Sequence, residues 1–288
     1  MLTPAYVLRV SGLEGVFYMQ FLKRLSWQWC VLSAFVSVLF ASVSVYAALK
    51  SGAKAHNVYR SPYVLLERKS SAEGTVYCSG SIVSYRGHTF ILTAGHLFWT
   101  MNPDNIRELP GDNYRWVNVY DARHNFLGVA SLLYNDASRD IAILGGTSEA
   151  YKLVQQYGSF DLCPMTLEQL EDIVGEEVYF LGACEVGGWY NIKRIQPFSE
   201  RTIIARVTRS KISDGDDIPA GSDMTCIFVK GGGWYGCSGG PLLYKGKVIG
   251  VCSMLENFTP KTGTAYSSVE EVCREFLDKL PEVNAEKK

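Results

Sequence analysis

The sequence has almost no net charge. Its 28 lysines and arginines face 29 acidic residues, for a formal charge of −1, so it offers no electrostatic footprint for nucleic acid or an anionic membrane surface. Histidine is scarce, and the four present (His56, His88, His96 and His124) are scattered. Neither C-x-x-C nor H-E-x-x-H spacing occurs, so the usual zinc-ligand intervals are missing and no metal or other cofactor is expected. Internal repeats and low-complexity tracts are missing as well. Disorder is excluded by what is present. Of 288 residues, 47% are hydrophobic, enough to bury the core of one large domain or two small ones.

In one place charge vanishes altogether. The 25 residues between Arg24 and Lys50 carry none, and at ~1.5 Å per helical residue the run is long enough to cross a bilayer core. Lys23 and Arg24 precede it, and Val45-Tyr46-Ala47 offers a small-residue cleavage site. The segment therefore reads either as a retained transmembrane helix or as a signal peptide. The expected layout is a basic and polar segment 1–24, the membrane segment 25–49 and a linker 50–63. The protein is then membrane-anchored by one N-terminal span, or secreted after signal cleavage. Seven of the eight cysteines follow the apolar run, an odd number that cannot all pair within one chain.

From Val64 onward, runs rich in Val, Ile, Tyr, Phe and Thr alternate with Gly and Asn/Asp turns, the pattern of an antiparallel sandwich or barrel. Strands are predicted over Thr75–Val83, Thr89–Ala94, Val117–Tyr120, Leu127–Leu133 and Ile141–Leu144, with His88 in the turn before the second. A more polar, helix-compatible connection, Met165–Ile173, separates these from a second set: Glu177–Leu181, Thr202–Val207, Thr225–Val229, Pro241–Tyr244 and Lys247–Cys252. Lys245-Gly246 makes the last pair a hairpin. The period then becomes helical, with Val269, Val272, Cys273, Phe276, Leu277 and Leu280 on one face. Ser268 and Glu271 stand at capping-box spacing before it, and Pro281 ends it.

Three segments place a polar residue at the end of an apolar strand: Leu92-Thr93-Ala94-Gly95-His96, Arg139-Asp140-Ile141-Ala142-Ile143-Leu144, and Gly236-Cys237-Ser238-Gly239-Gly240-Pro241. A serine hydroxyl needs a base within hydrogen-bond reach, and the base needs a carboxylate to orient it. His96, Asp140 and Ser238 supply those types. Together the segments resemble the chymotrypsin-like (trypsin-like) serine proteases, in the order His, Asp, Ser that separates them from the α/β-hydrolases and subtilisins. Cys78-Ser79-Gly80-Ser81 resembles the family's strand before the histidine. The likeness runs from Val64 to Leu280.

The resemblance implies an all-β fold of two antiparallel Greek-key barrels with a C-terminal helix. Its protease domain would cover 64–282, with an N-lobe 64–160, a C-lobe 174–268 and the helix 268–280. It implies peptide hydrolysis through His96, Asp140 and Ser238 with an acyl-enzyme intermediate, the N–H groups of Gly236 and Ser238 forming an oxyanion hole. Ser253, Met254 and Leu255 would pair with the substrate backbone, and Gly232 and Gly263 would line the specificity pocket. No acidic residue stands at that pocket's base, so a roomy site for apolar or aromatic side chains is expected rather than one for Lys or Arg. Partners would be protein or peptide substrates, and the membrane if 25–49 is uncleaved. The alternatives are a viral-type polyprotein-processing protease and a catalytically inactive peptide-binding module. His124, Asp121 and Asp136 are runners-up that no matching strand follows.

Two departures stand out. Cys237 occupies the position where zymogen-derived members carry an aspartate that receives a new N-terminal ammonium, and no R/K-I-V-G-G motif precedes the domain. Activity without N-terminal trimming is therefore expected. Leu97 follows His96 where many members have a cysteine, so the common bridge to the position of Cys78 is missing. Cys163 and Cys273 lie where some trypsins join the inter-lobe segment to the terminal helix, which allows one bridge there. This mixture is closer to bacterial and viral members than to vertebrate zymogens.

Overall fold

The computed structural model describes residues 57–70, 74–98, 100–101, 107–108, 115–185, 195–211, 223–231, 236–255 and 263–281. The apolar run 25–49 lies outside them. Among the described residues, no helix is long and apolar enough to cross a membrane.

The chain is all-β and forms two closed six-stranded antiparallel barrels. The first consists of β1 (Tyr63–Ser70), β2 (Gly74–Tyr85), β3 (His88–Ala94), β4 (Trp116–Tyr120), β5 (Phe126–Asp136) and β6 (Ile141–Gly146). Its ladder runs β1-β4-β5-β6-β3-β2 and closes through β1–β2. The second consists of β7 (Glu177–Glu185), β8 (Ile195–Lys211), β9 (Asp223–Val229), β10 (Pro241–Tyr244), β11 (Lys247–Leu255) and β12 (Thr264–Ser268), closed in the order β7-β8-β9-β12-β11-β10. Two hairpins turn on Arg86-Gly87 and Lys245-Gly246. All four residues have positive φ, the two-residue primed turn whose twist matches the flanking strands.

Side-chain alternation explains why apolar residues fill both strand faces. In β1, Val64 and Leu66 point into the first barrel, while Tyr63 and Leu65 point toward the second. Ile91 against Phe90 and Leu92, and Ala142 and Leu144 against Ile141 and Ile143, repeat that division. A third cluster around Phe180, Ile227, Ile249 and Tyr266 fills the second barrel. Strands with period-2 side chains and core on both sides read as continuous hydrophobic runs. Each fully buried Leu, Ile or Val contributes roughly 1.5–3 kcal/mol. The inter-barrel layer presses the ends of β3, β6, β10 and β11 together.

Among the described residues, three short α-helices accompany the barrels: α1 (Lys152–Tyr157), α2 (Leu167–Asp172) and α3 (Glu270–Glu275), the last followed by a 3-10 turn Leu277–Lys279. The terminal helical region is shorter than its periodicity predicts, and the Ser268–Glu271 capping box does not form. The Ser268 hydroxyl accepts the N–H of Glu270, while the Glu271 carboxylate accepts from Thr225 across the barrel. A reciprocal capping box does form at Thr166 and Gln169, at the head of α2. Cys163 and Cys273 form no bridge, and none of the seven described cysteines is in a disulfide. His88 is the first residue of β3 rather than a turn residue; its Nε2 meets the Pro281 carbonyl at 2.6 Å.

Candidate active site

β3 ends at Ala94, and the 3-10 turn Gly95–Phe98 carries His96 out of the apolar layer. Beneath it lies Asp140, fully buried, at the turn that leads into β6. Asp140 has φ of +55°, a left-handed conformation that costs most L residues energy but that Asp tolerates better than most. Its Oδ1 accepts the backbone N–H of His96 at 2.6 Å, and its Oδ2 lies 2.8 Å from His96 Nδ1. One carboxylate thus fixes both the backbone and the ring of the histidine. Ser253 Oγ donates to Oδ2 as well, at 2.7 Å.

The His96 ring is 18% exposed. Burial works against its charged form, yet the charge and hydrogen bond of Asp140 outweigh that penalty, and the imidazole is held well above its ordinary value. Cys78 beside the ring adds to the rise.

The segment Gly236–Gly240 closes over the inter-barrel layer just before β10. Gly239, at φ +84°, accounts for its tightness: a Cβ there would lie 2.1 Å from the Ser79 carbonyl oxygen and 2.2 Å from Thr93 Oγ1. Only glycine fits. Its neighbour Ser238 is part-exposed, and the Ser238 carbonyl accepts the N–H of Ser79 at 2.8 Å. The Gly236 carbonyl accepts from Ser79 Oγ at 2.6 Å. Cys237 turns the other way: its side chain is buried, and its Sγ donates to the Ala183 carbonyl at 3.3 Å. Among the other thiols, burial first of all pushes Cys226 and Cys273 up to about 12, and Cys252 well up too.

Of the residues assigned to substrate, Ser253 sits at a bulge in β11, where the register against β12 shifts between Cys252 and Met254. Bulged residues are left out of the ladder. Met254 and Leu255 pair with Ala265 and Thr264. Gly263, at φ +129°, precedes β12, whose Thr264 hydroxyl donates to the Gly231 carbonyl at 3.3 Å. Gly232 lies outside the described residues. The runners-up are occupied elsewhere: Asp121 caps its own turn through Arg123 and Asn125, Asp136 holds Ser138 and Arg139, and His124 Nε2 meets the Ile195 carbonyl at 2.7 Å. Sequence reading missed Ser79 and the side-chain role of Ser253, because their contacts span 157 and 113 residues. Among the described residues, no cluster of His, Cys, Asp and Glu could hold a metal ion.

A sequence profile of trypsin-like peptidase domains matches residues 78–251. No curated protein sequence matches the chain. Among solved structures, the active form of the Rv3671c protease from M. tuberculosis superposes with a TM-score of 0.54 at 19% identity, covering 78% of this chain and 83% of that one. The apo MamO protease domain from Magnetospirillum magneticum gives 0.50 at 16% identity, covering 78% and 99%. The fold is that of bacterial chymotrypsin-fold serine proteases.

Proposed function

The chain belongs to the family of trypsin-like peptidase domains, and we propose that it is a serine endopeptidase acting on protein or peptide substrates through Ser238, His96 and Asp140. Nε2 of His96 takes the Ser238 proton as the hydroxyl oxygen attacks the peptide carbonyl. The tetrahedral oxyanion is met by the N–H groups of Gly236 and Ser238. As the C–N bond breaks, the imidazolium returns its proton to the leaving amine, giving an acyl-enzyme that water then hydrolyses by the same route. Asp140 holds the ring in place and stabilises the imidazolium.

The observation that carries this reading is the fully buried Asp140 carboxylate holding both the backbone N–H and the Nδ1 of His96. A surface histidine capped by chance has no reason to be gripped twice by a buried charge. Substrate lies extended beside the bulge at Ser253, continuing toward Met254 and Leu255, and the family resemblance assigns Gly232 and Gly263 to a pocket for an apolar or aromatic side chain. The uncharged run 25–49 supports an enzyme that works anchored to a membrane or exported across one.

A fluorophosphonate probe tests the assignment. Wild-type protein and Cys237→Ala are expected to be labelled, and Ser238→Ala is not. Labelling lost in Cys237→Ala but kept in Ser238→Ala overturns the choice of nucleophile. Folded wild-type protein that resists the probe is a binding module instead.

A further inference from the structure

Ser79 stands at the middle of β2 in the first barrel, fully buried, yet its N–H and hydroxyl both reach the nucleophile segment of the second barrel. Its N–H donates to the Ser238 carbonyl at 2.8 Å and its hydroxyl to the Gly236 carbonyl at 2.6 Å. These are the same two residues whose N–H groups are assigned to the oxyanion. A hydroxyl has one proton. Since that of Ser79 goes to Gly236, the Tyr63 hydroxyl, 2.8 Å from Ser79 Oγ, is the donor in that contact. Tyr63 is fully buried, and burial first of all holds its phenol well above the ordinary value, so the proton it donates is never lost near neutral pH. Thr93 Oγ1 completes the set by donating to the Ser79 carbonyl at 2.7 Å.

We propose that Ser79, locked by Tyr63, is the positioning residue of the oxyanion site, an inference that rests on the reading of Ser238 as nucleophile. The physical need is local. Gly236, at φ +99°, has no side chain to hold either of its peptide planes, and an unanchored glycine rotates readily about both torsions. Its carbonyl lies in the peptide plane shared with the Cys237 N–H, so anchoring that carbonyl holds the Gly236 Cα from its C-terminal side and narrows the swing left to the N–H on the other side. Ser79 does this from the other barrel, so the aim of the hole depends on the barrels being docked. An N–H that misses the developing charge by an ångström loses most of its effect in the transition state while leaving substrate binding alone.

The test is the rate of fluorophosphonate phosphonylation, whose P=O oxygen occupies the oxyanion position, measured per folded molecule as a function of pH. Ser79→Ala keeps the backbone bond to Ser238 and loses only the hydroxyl. Its limiting rate is expected to fall by about tenfold to a hundredfold, with the pH midpoint set by His96 unmoved. Tyr63→Phe, which leaves Ser79 its proton but removes the lock, is expected to show a smaller fall and to add little on top of Ser79→Ala; it also carries the test should Ser79→Ala not fold. Limiting rates within twofold of wild type overturn the inference. So does a fall accompanied by a shifted midpoint, since the residue would then act through the imidazole. Wild-type protein that is not labelled removes the nucleophile assignment and the inference with it. Normal labelling in both variants removes the inference alone.

Discussion

Ser253 donates its hydroxyl to Oδ2 of Asp140 at 2.7 Å, the oxygen that also meets the His96 ring. A carboxylate without solvent exposure depends on such donors to stay charged. Ser253→Ala removes one of them and leaves the two from His96. A hydrogen bond to a charged group contributes about 1.5–3 kcal/mol. If the smaller figure is expressed in the transition state, kcat/KM falls about tenfold. Peptidase kinetics and a thermal melt on the same preparation check this, and an unchanged kcat/KM would show that His96 alone holds the carboxylate.

The pH dependence follows from the same pair. His96 acts as a base only when neutral, and Asp140 holds it well above the ordinary value. Activity should therefore rise with pH along a limb whose midpoint lies above 6.5. Stability runs oppositely. The charged pair contributes fully below the ordinary histidine value, and its contribution is lost as pH rises through the folded one. Asp140→Asn takes away the opposing charge, leaving burial to push the ring down against the smaller effect of Cys78. Its midpoint should drop below that of the wild type, while the limiting rate falls by about four orders of magnitude. Ring-proton chemical shifts of His96 followed through a titration would report both midpoints.

Much of this arrangement is legible in the amino-acid order, for local reasons. Arg86-Gly87 and Lys245-Gly246 announce their hairpins because turn geometry is a property of two residues, and His96, Asp140 and Ser238 sit in segments with strong local patterns. What stays hidden depends on distant partners. The β8 strand is legible only over Thr202–Val207, since the pairing of Ile195–Arg201 with β7 brings in Pro197 and Glu200, residues that read as loop. Glu271 has the spacing of a capping residue, yet Thr225, 46 residues away, claims its carboxylate. Ser79 reads as one more small residue in a strand, because nothing local tells a serine that fills space from one that holds a glycine in another barrel.

Arg139 links the turn that bears Asp140 to α3. Its guanidinium donates to Asp136 and, through two nitrogens at 3.0 and 2.8 Å, to both carboxylate oxygens of Glu275. Glu271 lies 3.9 Å from its Nε. Arg139→Ala leaves the buried Asp136 and Glu271 without their cation, a change expected to cost about 3 kcal/mol or more. Burial already pushes Glu271 up, and Arg139 opposes that rise. In the variant it climbs further, so lowering the pH neutralises Glu271 and recovers part of the loss. Denaturant melts should show a larger deficit at about pH 8 than at about pH 5; an equal deficit at both would mean Glu271 is indifferent to the arginine.

Cys237 tests what became of the zymogen switch. Its thiol is 1% exposed and donates to the Ala183 carbonyl, and a Cβ on Gly182 would come within 2.8 Å of the sulfur. Cys237→Asp would restore the residue type of zymogen-derived relatives but place a carboxylate against a carbonyl oxygen. An uncompensated buried charge costs about 3–5 kcal/mol. The variant should therefore be strongly destabilised and recover as pH falls toward the carboxyl range, whereas Cys237→Ala should stay folded and active. A stable, active Cys237→Asp enzyme at neutral pH would mean that a cation does reach this position.

The N-terminal boundary gives a complementary prediction. Asn57 caps the turn Val58–Arg60, accepting the Tyr59 N–H on its Oδ1 at 3.0 Å, and Val58 and Tyr63 are buried in the layer between the barrels. Held by packing rather than by a terminal ammonium, this segment should tolerate variation upstream of Asn57. Fragments beginning at Ala53 and at Asn57 are expected to label with fluorophosphonate at equal rates. A fragment beginning at Val64 loses Val58 as well as the Tyr63 hydroxyl that locks Ser79, and should label at least about tenfold more slowly with a lower melting temperature. Activity confined to a single starting residue would instead show that a new N-terminus completes the site.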